Sequence, residues 1–431
     1  MPEPVSPHSI RRVVLASFIG TAIEWYDFFL YGTAAALVFN RLFFPDLNPI
    51  AGTMAAFATY AVWFFARPLG GVIFGHFGDR VGRKSMLVTT LMLMGIATFC
   101  VGLLPTYGQV GVLAPVLLVA LRFVQGLGVG GEWGGAVLMV VEHVDKRRRG
   151  LFASWVQAGV PVGLLLATGV FSAFAMLPEA AFLAWGWRVP FLLGILLTGI
   201  GFFIRLHVLE SPLFEQAKSE GAASNTAPKL PLLEVLRTHR RNVLLAMGAR
   251  LSENAFFSIF TVWALTYATQ KLGMERGTVL NGVLLGSAAQ LVAIPCFGAL
   301  SDRLGRRPVY LGGAIFLLMM AFPFFWLMDL KSTPLVWLAI VIGMIGHAAM
   351  YGPQSAFFSE LFGTRTRYTG VSLGYQLAAP FAGGLAPLIA SALLGWSGGS
   401  TWPIALYLIG MSAVTIISVL LAAETNRRDL T

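Results

Sequence analysis

The sequence predicts an all-α membrane protein of twelve transmembrane helices in two six-helix halves, with both termini on the cytoplasmic side. Three observations predict it. The chain is 57% hydrophobic and only 12% charged over 431 residues, whereas soluble domains carry about 25% charged residues. Its apolar runs are about 20 residues long, enough helix to cross a hydrocarbon core of roughly 30 Å. Its basic residues gather in alternate connections between those runs.

The runs fall near 13–39, 51–77, 85–104, 111–141, 151–176, 187–206, 242–270, 278–300, 308–328, 334–358, 370–395 and 402–423. Short strand-like alternation is absent from them, which argues against a β-barrel. The first run is too long for the apolar core of a signal peptide and lacks a small-residue cleavage site, so it reads as a retained helix. Cys100 and Cys296 lie in spans three and eight and read as packing residues, not as a disulfide or metal pair.

The net charge is +10. Arg11, Arg12, Arg80, Arg83, Lys84, Lys146 to Arg149, Arg303, Arg306, Arg307, Arg365, Arg367, Arg427 and Arg428 occupy one set of connections. The intervening set holds Arg41, Arg188, Lys271, Arg276 and Lys331. By the positive-inside rule the richer set is cytoplasmic. Bases that flank spans form no continuous soluble face, so no nucleic-acid partner is expected.

The longest polar break, 207–241, contains KSEGAASNTAPK and reads as a cytoplasmic linker. It separates a first half, 1–206, from a second, 242–431. The halves repeat one another. GHFGDRVGRK (75–84) follows span two and GALSDRLGRR (298–307) follows span eight, placing Asp79 and Asp302 223 residues apart. Glu142 leads to Arg149 and Gly150, and Glu360 leads to Arg367 and Gly370; the acids are 218 residues apart and the glycines 220. Such internal symmetry marks secondary transporters, whose site lies between the halves near the midplane.

G-x-x-x-D-R-x-G-R-[KR] in both halves resembles the loop signature of the major facilitator superfamily. EWYDFFLYG (24–32), RFVQGLGVGGEWGG (122–135) and WGWRVPF (185–191) look like its metabolite:proton symporter branch. FNRLFFP, RPLGG, GHFGDR and GGEWGG are most similar to the shikimate-transporter group. The resemblance runs through the whole chain and is densest over 10–215. It implies a bacterial cytoplasmic-membrane protein, working as a monomer, that takes up a small organic acid with protons. Betaine or proline uptake and drug:proton antiport are alternatives. The resembled osmosensing betaine carriers often have a long C-terminal coiled coil, whereas this chain ends eight residues after the twelfth run. The resemblance also implies that Asp79, Arg80, Arg83, Glu142 and Arg149, with Asp302, Arg303, Arg306 and Glu360 in the second half, latch the cytoplasmic side.

Other chemistries find no support. Gly126, Gly128 and Gly131 match a dinucleotide fingerprint, but that motif needs a preceding strand. Here the glycines lie in an apolar helix, where Gly126, Gly130 and Gly134 make a smooth stripe for close helix approach. GDRVGRKS (78–85) has three residues between its glycines where a phosphate loop needs four. No catalytic triad or metal-ligand spacing is seen, so neither enzyme activity nor a cofactor nor a metal is expected.

The charged residues inside the spans are the candidates for function, because a charge at the bilayer centre costs roughly 2.5–3.5 kcal/mol on insertion scales. Glu24 and Asp27 share a helix face. Asp27 is about 22 Å along the helix from Arg12, and Arg122 is about 15–18 Å into span four from its other end. The two can therefore pair at similar depth. In the resembled symporters such a pair carries the proton, which assigns Asp27 and Arg122 to coupling and Glu24 to organising the pair or touching substrate. A static ion pair is the alternative. Glu132, about 15 Å further along span four, has a structural or a transport role. Arg67 in span two reads as a snorkelling or inner-gate residue in preference to a substrate contact.

Arg122 and, in span seven, Arg250, Glu253 and Asn254 are candidate substrate contacts; a self-neutralised Arg250–Glu253 pair is the bland alternative. In span ten, His347, Tyr351 and Gln354 share one side. Tyr375 and Gln376 in span eleven, with Trp155 and Gln157 in span five, complete a pocket for a ring or a hydroxylated acid.

Overall fold

The computed structural model describes residues 7–81, 83–130, 132–206, 237, 239–362 and 367–426. The side chains at 7–9, 11–12, 72, 75–87, 139, 142–143, 204–206 and 367–369 lie outside that description, as does nearly all of the expected 207–241 linker. So do the side chains of Asp79, Arg80, Arg83 and Glu142.

All regular structure among the described residues is helical. The first half contains α1 (Pro7–Ala34), α2 (Pro49–Val81), α3 (Arg83–Leu103), α4 (Leu113–Val129), α5 (Glu132–His143), α6 (Arg149–Ala175) and α7 (Arg188–Leu206). The second contains α8 (Arg240–Ser258), α9 (Arg276–Leu304), α10 (Arg306–Asp329), α11 (Thr333–Glu360), α12 (Arg367–Ala379), α13 (Ala386–Trp396) and α14 (Trp402–Leu421). Among the described residues ten helical stretches are long and apolar enough to cross a membrane. The shorter apolar helix Val88–Leu103 stands at the third apolar run of the sequence, and Glu179–Gly186 with Arg188–Phe203, bent by 41°, at the sixth.

The sequence repeat reappears as a packing repeat. In the first half α1 rests on α6 and α7, α2 on α4, and α3 on α4 and α7. In the second half α8 rests on α12 and α14, α9 on α11, and α10 on α11 and α14. The halves meet where α6 lies along α9 and α11, and where α2 meets α13 and the turn Pro380–Gly384.

Glycine sets the closest approach within the first half. A Cβ on Gly126 would stand 2.5 Å from the Trp63 carbonyl oxygen, and one on Gly130 only 2.1 Å from that of Arg67. The backbones of α2 and α4 therefore touch, and the side chains of Trp63 and Arg67 are carried next to Arg122. The outer faces are apolar. Leu193, Leu196, Ile200 and Phe203 are exposed at three- and four-residue steps, one stripe along α7. Lipid covers such a stripe, which in water would be an aggregation hazard. Cys296 is exposed on α9, outside the packed interior where the sequence reading placed it, while Cys100 is half-buried.

Among the described residues five wide, π-helical turns interrupt the spans. Ala35–Phe39 follows α1, Phe182–Gly186 precedes α7, Ile259–Trp263 and Tyr267–Lys271 follow α8, and Pro380–Gly384 follows α12.

Candidate functional site

The charged and polar residues singled out in the spans lie inside the bundle. Glu24, Asp27, Arg67, Arg122, Glu132, Arg250, Glu253, Asn254, His347, Gln354 and Gln376 are all buried.

On the first-half side, Arg122 projects from α4 into an aromatic cage. Its guanidinium carbon lies 4.0 Å from the Tyr31 ring centroid, 5.3 Å from that of Trp63 and 5.6 Å from those of Phe28 and Tyr60. Such faces attract a cation where water is excluded. The expected direct pair with Asp27 does not form: among the described residues no ion pair within 4.0 Å joins them. A bridge replaces it. Arg122 Nη1 donates to Gln125 Oε1 at 3.2 Å, and Gln125 Nε2 donates to Thr98 Oγ1 at 2.6 Å. Thr98 faces the Asp27 carboxylate, and its single hydroxyl proton also has the Met94 carbonyl as acceptor at 3.0 Å. Asp27 Oδ2 and Arg122 Nε and Nη2 are buried without a hydrogen-bond partner among the described residues.

On the second-half side the Arg250–Glu253 contact is loose, with Nε 4.0 Å from Oε2. Glu253 bonds elsewhere, at 3.1 Å from His347 Nε2 and 3.2 Å from Gln354 Nε2. Gln354 also donates to the Tyr310 hydroxyl at 3.0 Å, which donates to the Ala249 carbonyl at 2.9 Å. Gln290 Nε2 lies 2.9 Å from the Met344 carbonyl and 2.7 Å from His347 Nδ1. The carbonyl fixes that amide as donor, so His347 Nδ1 accepts and its Nε2–H donates to Glu253. Both ring nitrogens of His347 are thus engaged, Nδ1 by Gln290 and Nε2 by Glu253, and Phe257 stacks on the ring at 4.5 Å.

Arg250 turns away from Glu253. Its guanidinium carbon sits 3.0 Å from the Tyr375 ring centroid. The Tyr375 ring stacks on Trp133 at 3.6 Å with 13° between planes, a contact between halves. Trp133 Nε1 donates to Gln157 Oε1 at 2.9 Å, and Gln376 Nε2 reaches across to the Gly130 carbonyl at 3.0 Å. Tyr351 stands 5.0 Å from His347, ring to ring. The Tyr351 and Tyr375 hydroxyls face one another, and Asn254 Nδ2 and Gln157 Nε2 have no hydrogen-bond partner among the described residues.

Trp155 is a correction. It is 39% exposed and packs edge-on against Phe18, not among the buried polar groups. At 100° per residue it lies about 200° around α6 from Gln157, so only Gln157 can face inward.

The halves also touch at the end rich in bases. Asp302 Oδ1 and Oδ2 accept from the Gly150 and Leu151 N–H groups at 2.8 and 2.9 Å, capping α6 of the opposite half. A carboxylate at a helix N-terminus satisfies free N–H groups and the dipole together. Arg306 holds Asp302 at 2.8 Å and both Glu360 oxygens at 3.2 Å. Glu360 accepts from Thr425 at 2.7 Å, and Glu424 accepts from the Arg306 and Arg307 N–H groups at 2.9 and 3.0 Å. Arg149 is buried beside this cluster, whereas Arg303 is exposed. At the other end Thr53 and Gln270 meet at 3.2 Å, beside a cavity of about 580 Å³ lined by Asn40, Arg41, Glu179, Gln270 and Arg276.

A helical bundle with two packing repeats and a buried, charged interface is the architecture of a carrier. A sequence profile of the Major Facilitator Superfamily matches residues 17–378. The chain belongs to the major facilitator superfamily. This major facilitator chain is 44% identical over 421 residues to a shikimate transporter of Escherichia coli (strain K12), covering 97% of this chain and 95% of that one. It is 40% identical to the inner membrane metabolite transport protein YhjE of the same organism, covering 98% and 96%. It is 33% identical to that organism's proline/betaine transporter, covering 98% and 85%. The fold is similar to that of the proton:xylose symporter XylE bound to 6-bromo-6-deoxy-D-glucose, with a TM-score of 0.74 at 19% identity over 97% of both chains. The resemblance read from the sequence motifs is borne out. The chain is a multi-pass membrane transporter close to shikimate and metabolite carriers, and not an enzyme.

Proposed function

We propose that the chain is a proton-coupled symporter that imports a small organic acid, shikimate or a related hydroxy or keto carboxylate, by alternating access. Arg250 carries the reading. A buried guanidinium whose Nε and Nη1 lack hydrogen-bond partners among the described residues, at a contact between halves, suits a carboxylate that both halves must grip. The name of the relative at 44% identity supports the same class. Asp27, with an open oxygen and a two-residue bridge to Arg122, takes the proton; Glu24 organises that end. Glu253, held by His347 and Gln354, faces the substrate beside Arg250, and Asn254, Tyr351, Tyr375, Gln157 and Gln376 offer groups to hydroxyls. Asp302, Arg306, Glu360 and Arg149, with Asp79, Arg80, Arg83, Glu142 and Arg303, serve the cytoplasmic latch. The working form is a monomer with twelve spans and both termini in the cytoplasm of a bacterium.

Betaine or proline uptake is the second reading, favoured by the relatives at 33% identity. Counterflow in proteoliposomes decides between them. Radiolabelled shikimate should exchange against unlabelled hydroxy and keto acids and respond to an imposed pH gradient. Exchange of betaine or proline with no exchange of any organic acid would replace the first reading by the second.

A further inference from the structure

Arg67 is buried completely in α2, and its Nε, Nη1 and Nη2 all lack a hydrogen-bond partner among the described residues. A guanidinium stays charged in proteins, and a buried charge left uncompensated is strongly unfavourable. What holds it is aromatic: its guanidinium carbon lies 4.3 Å from the Trp63 ring centroid and 5.9 Å from that of Tyr375. The groups that face it electrostatically are Glu24, Tyr375, Arg250 and Tyr351. A residue serving only as a gate or a snorkelling base would have an acid at contact distance or a route to the surface. Arg67 has no ion pair within 4.0 Å among the described residues and no exposure.

Arg250, from the opposite half, lies over the same Tyr375 ring. The two ring distances together place the guanidinium carbons within about 9 Å of one another. Two forks closing on one carboxylate from either side, with N–O contacts of about 2.8 Å, need a span of roughly 8 Å. The Tyr351 and Tyr375 hydroxyls face one another at the same place, and no acceptor among the described residues lies within hydrogen-bond reach of the three Arg67 nitrogens. An anion supplies that acceptor.

We infer that Arg67 is a substrate-binding residue, and that Arg67 and Arg250 form a two-arginine receptor which grips one carboxylate from both halves of the transporter. The inference depends on the proposed organic-acid function only for the choice of probe.

The test is equilibrium binding of shikimate and of its uncharged methyl ester to the purified full-length protein, for wild type, Arg67→Gln and Arg67→Lys. Wild type should prefer the anion. Arg67→Gln should lose roughly tenfold to a hundredfold in affinity for shikimate with ester binding unchanged. Arg67→Lys, which keeps the charge but not the fork, should fall between them. Because the substitution removes a buried charge that has no ion pair within 4.0 Å among the described residues, Arg67→Gln should unfold at no lower temperature than wild type without ligand, while losing the shift that shikimate produces. Shikimate binding within threefold of wild type in Arg67→Gln overturns the assignment, as does an equal loss for acid and ester. If wild type binds betaine and no organic acid, the functional reading falls alone. Arg67 is then judged by the same comparison on betaine against choline, which lacks the carboxylate. Preference of wild type for the cation choline would overturn the receptor as well.

Discussion

Trp133 of the first half and Tyr375 of the second stack face to face at 3.6 Å, and the other side of the Tyr375 ring carries the Arg250 guanidinium. One ring therefore belongs to the contact between halves and to the candidate binding site. Stacking contributes about 0.5–1.5 kcal/mol beyond burial, and a desolvated cation on a ring about 2 kcal/mol. Tyr375→Ala should loosen the contact between the halves, raise solvent access there and weaken shikimate binding about tenfold or more. Tyr375→Phe should preserve closure and weaken binding only by the hydroxyl's hydrogen bond, a few-fold to about tenfold. Cysteine accessibility along α5 and a binding isotherm check both outcomes.

Asp27 is predicted to separate accumulation from exchange. Asp27→Asn should abolish uphill accumulation in response to a pH gradient yet retain counterflow. Gln125→Leu should impair the same property less severely, since it breaks the bridge and leaves the carboxyl. Normal pH-driven accumulation in Asp27→Asn would remove the residue from the coupling step.

Asp302 should set the balance between inward-closed and inward-open states. A well-placed, partly buried charge at a helix terminus contributes up to about 2 kcal/mol, or roughly thirtyfold in population. Asp302→Ala removes the cap on Gly150 and Leu151 and should shift the population towards inward-open by up to that factor. Spin-label distances across the base-rich ends of α6 and α9 measure it, and an unchanged distribution would contradict the latch.

Glu424 gives a pH dependence outside the spans. Burial pushes its carboxyl up, but the N–H groups of Arg306, Asn426, Arg307 and Thr425 outweigh it and hold the group below the usual 4.5. A depressed folded value means stability that is present above the ordinary carboxylate range and lost as pH falls through the lower folded value. Thermal unfolding of wild type and Glu424→Gln should therefore differ most near neutrality and converge in acid. A gap that stays constant down to acidic pH would show that the carboxylate charge contributes nothing.

How much of this was legible in the sequence follows from what hydropathy registers. Asp27, Arg122, Arg250 and Glu253 stand out because a charge in an apolar run is costly and rare, and the structure gathers them. His347, Tyr351 and Gln354 were readable as one side of a helix from their four- and three-residue steps. Thr98, Gln125, Gln290 and Tyr310 were not, since a hydroxyl or amide in a span carries little hydropathy signal and its partner lies on another helix. Gln125 alone left a trace, three residues from Arg122 on the same face. Arg67 is visible in the sequence but reads as a snorkelling or inner-gate residue; its lack of partners exists only in three dimensions. Trp155 failed for the opposite reason, because a two-residue step from Gln157 reverses the direction of the side chain.

The π-helical turns carry a consequence for how the spans can be re-registered. A π turn holds one residue more than α geometry needs. Resolving it would rotate everything on one side by about 100° and slide it by about 1.5 Å relative to the other. Ile259–Trp263 and Tyr267–Lys271 both lie beyond the segment bearing Arg250 and Glu253. The stretch around Gln270 can thus be indexed by one residue, presenting a new set of side chains to the vestibule, while Arg250 and Glu253 keep their azimuth.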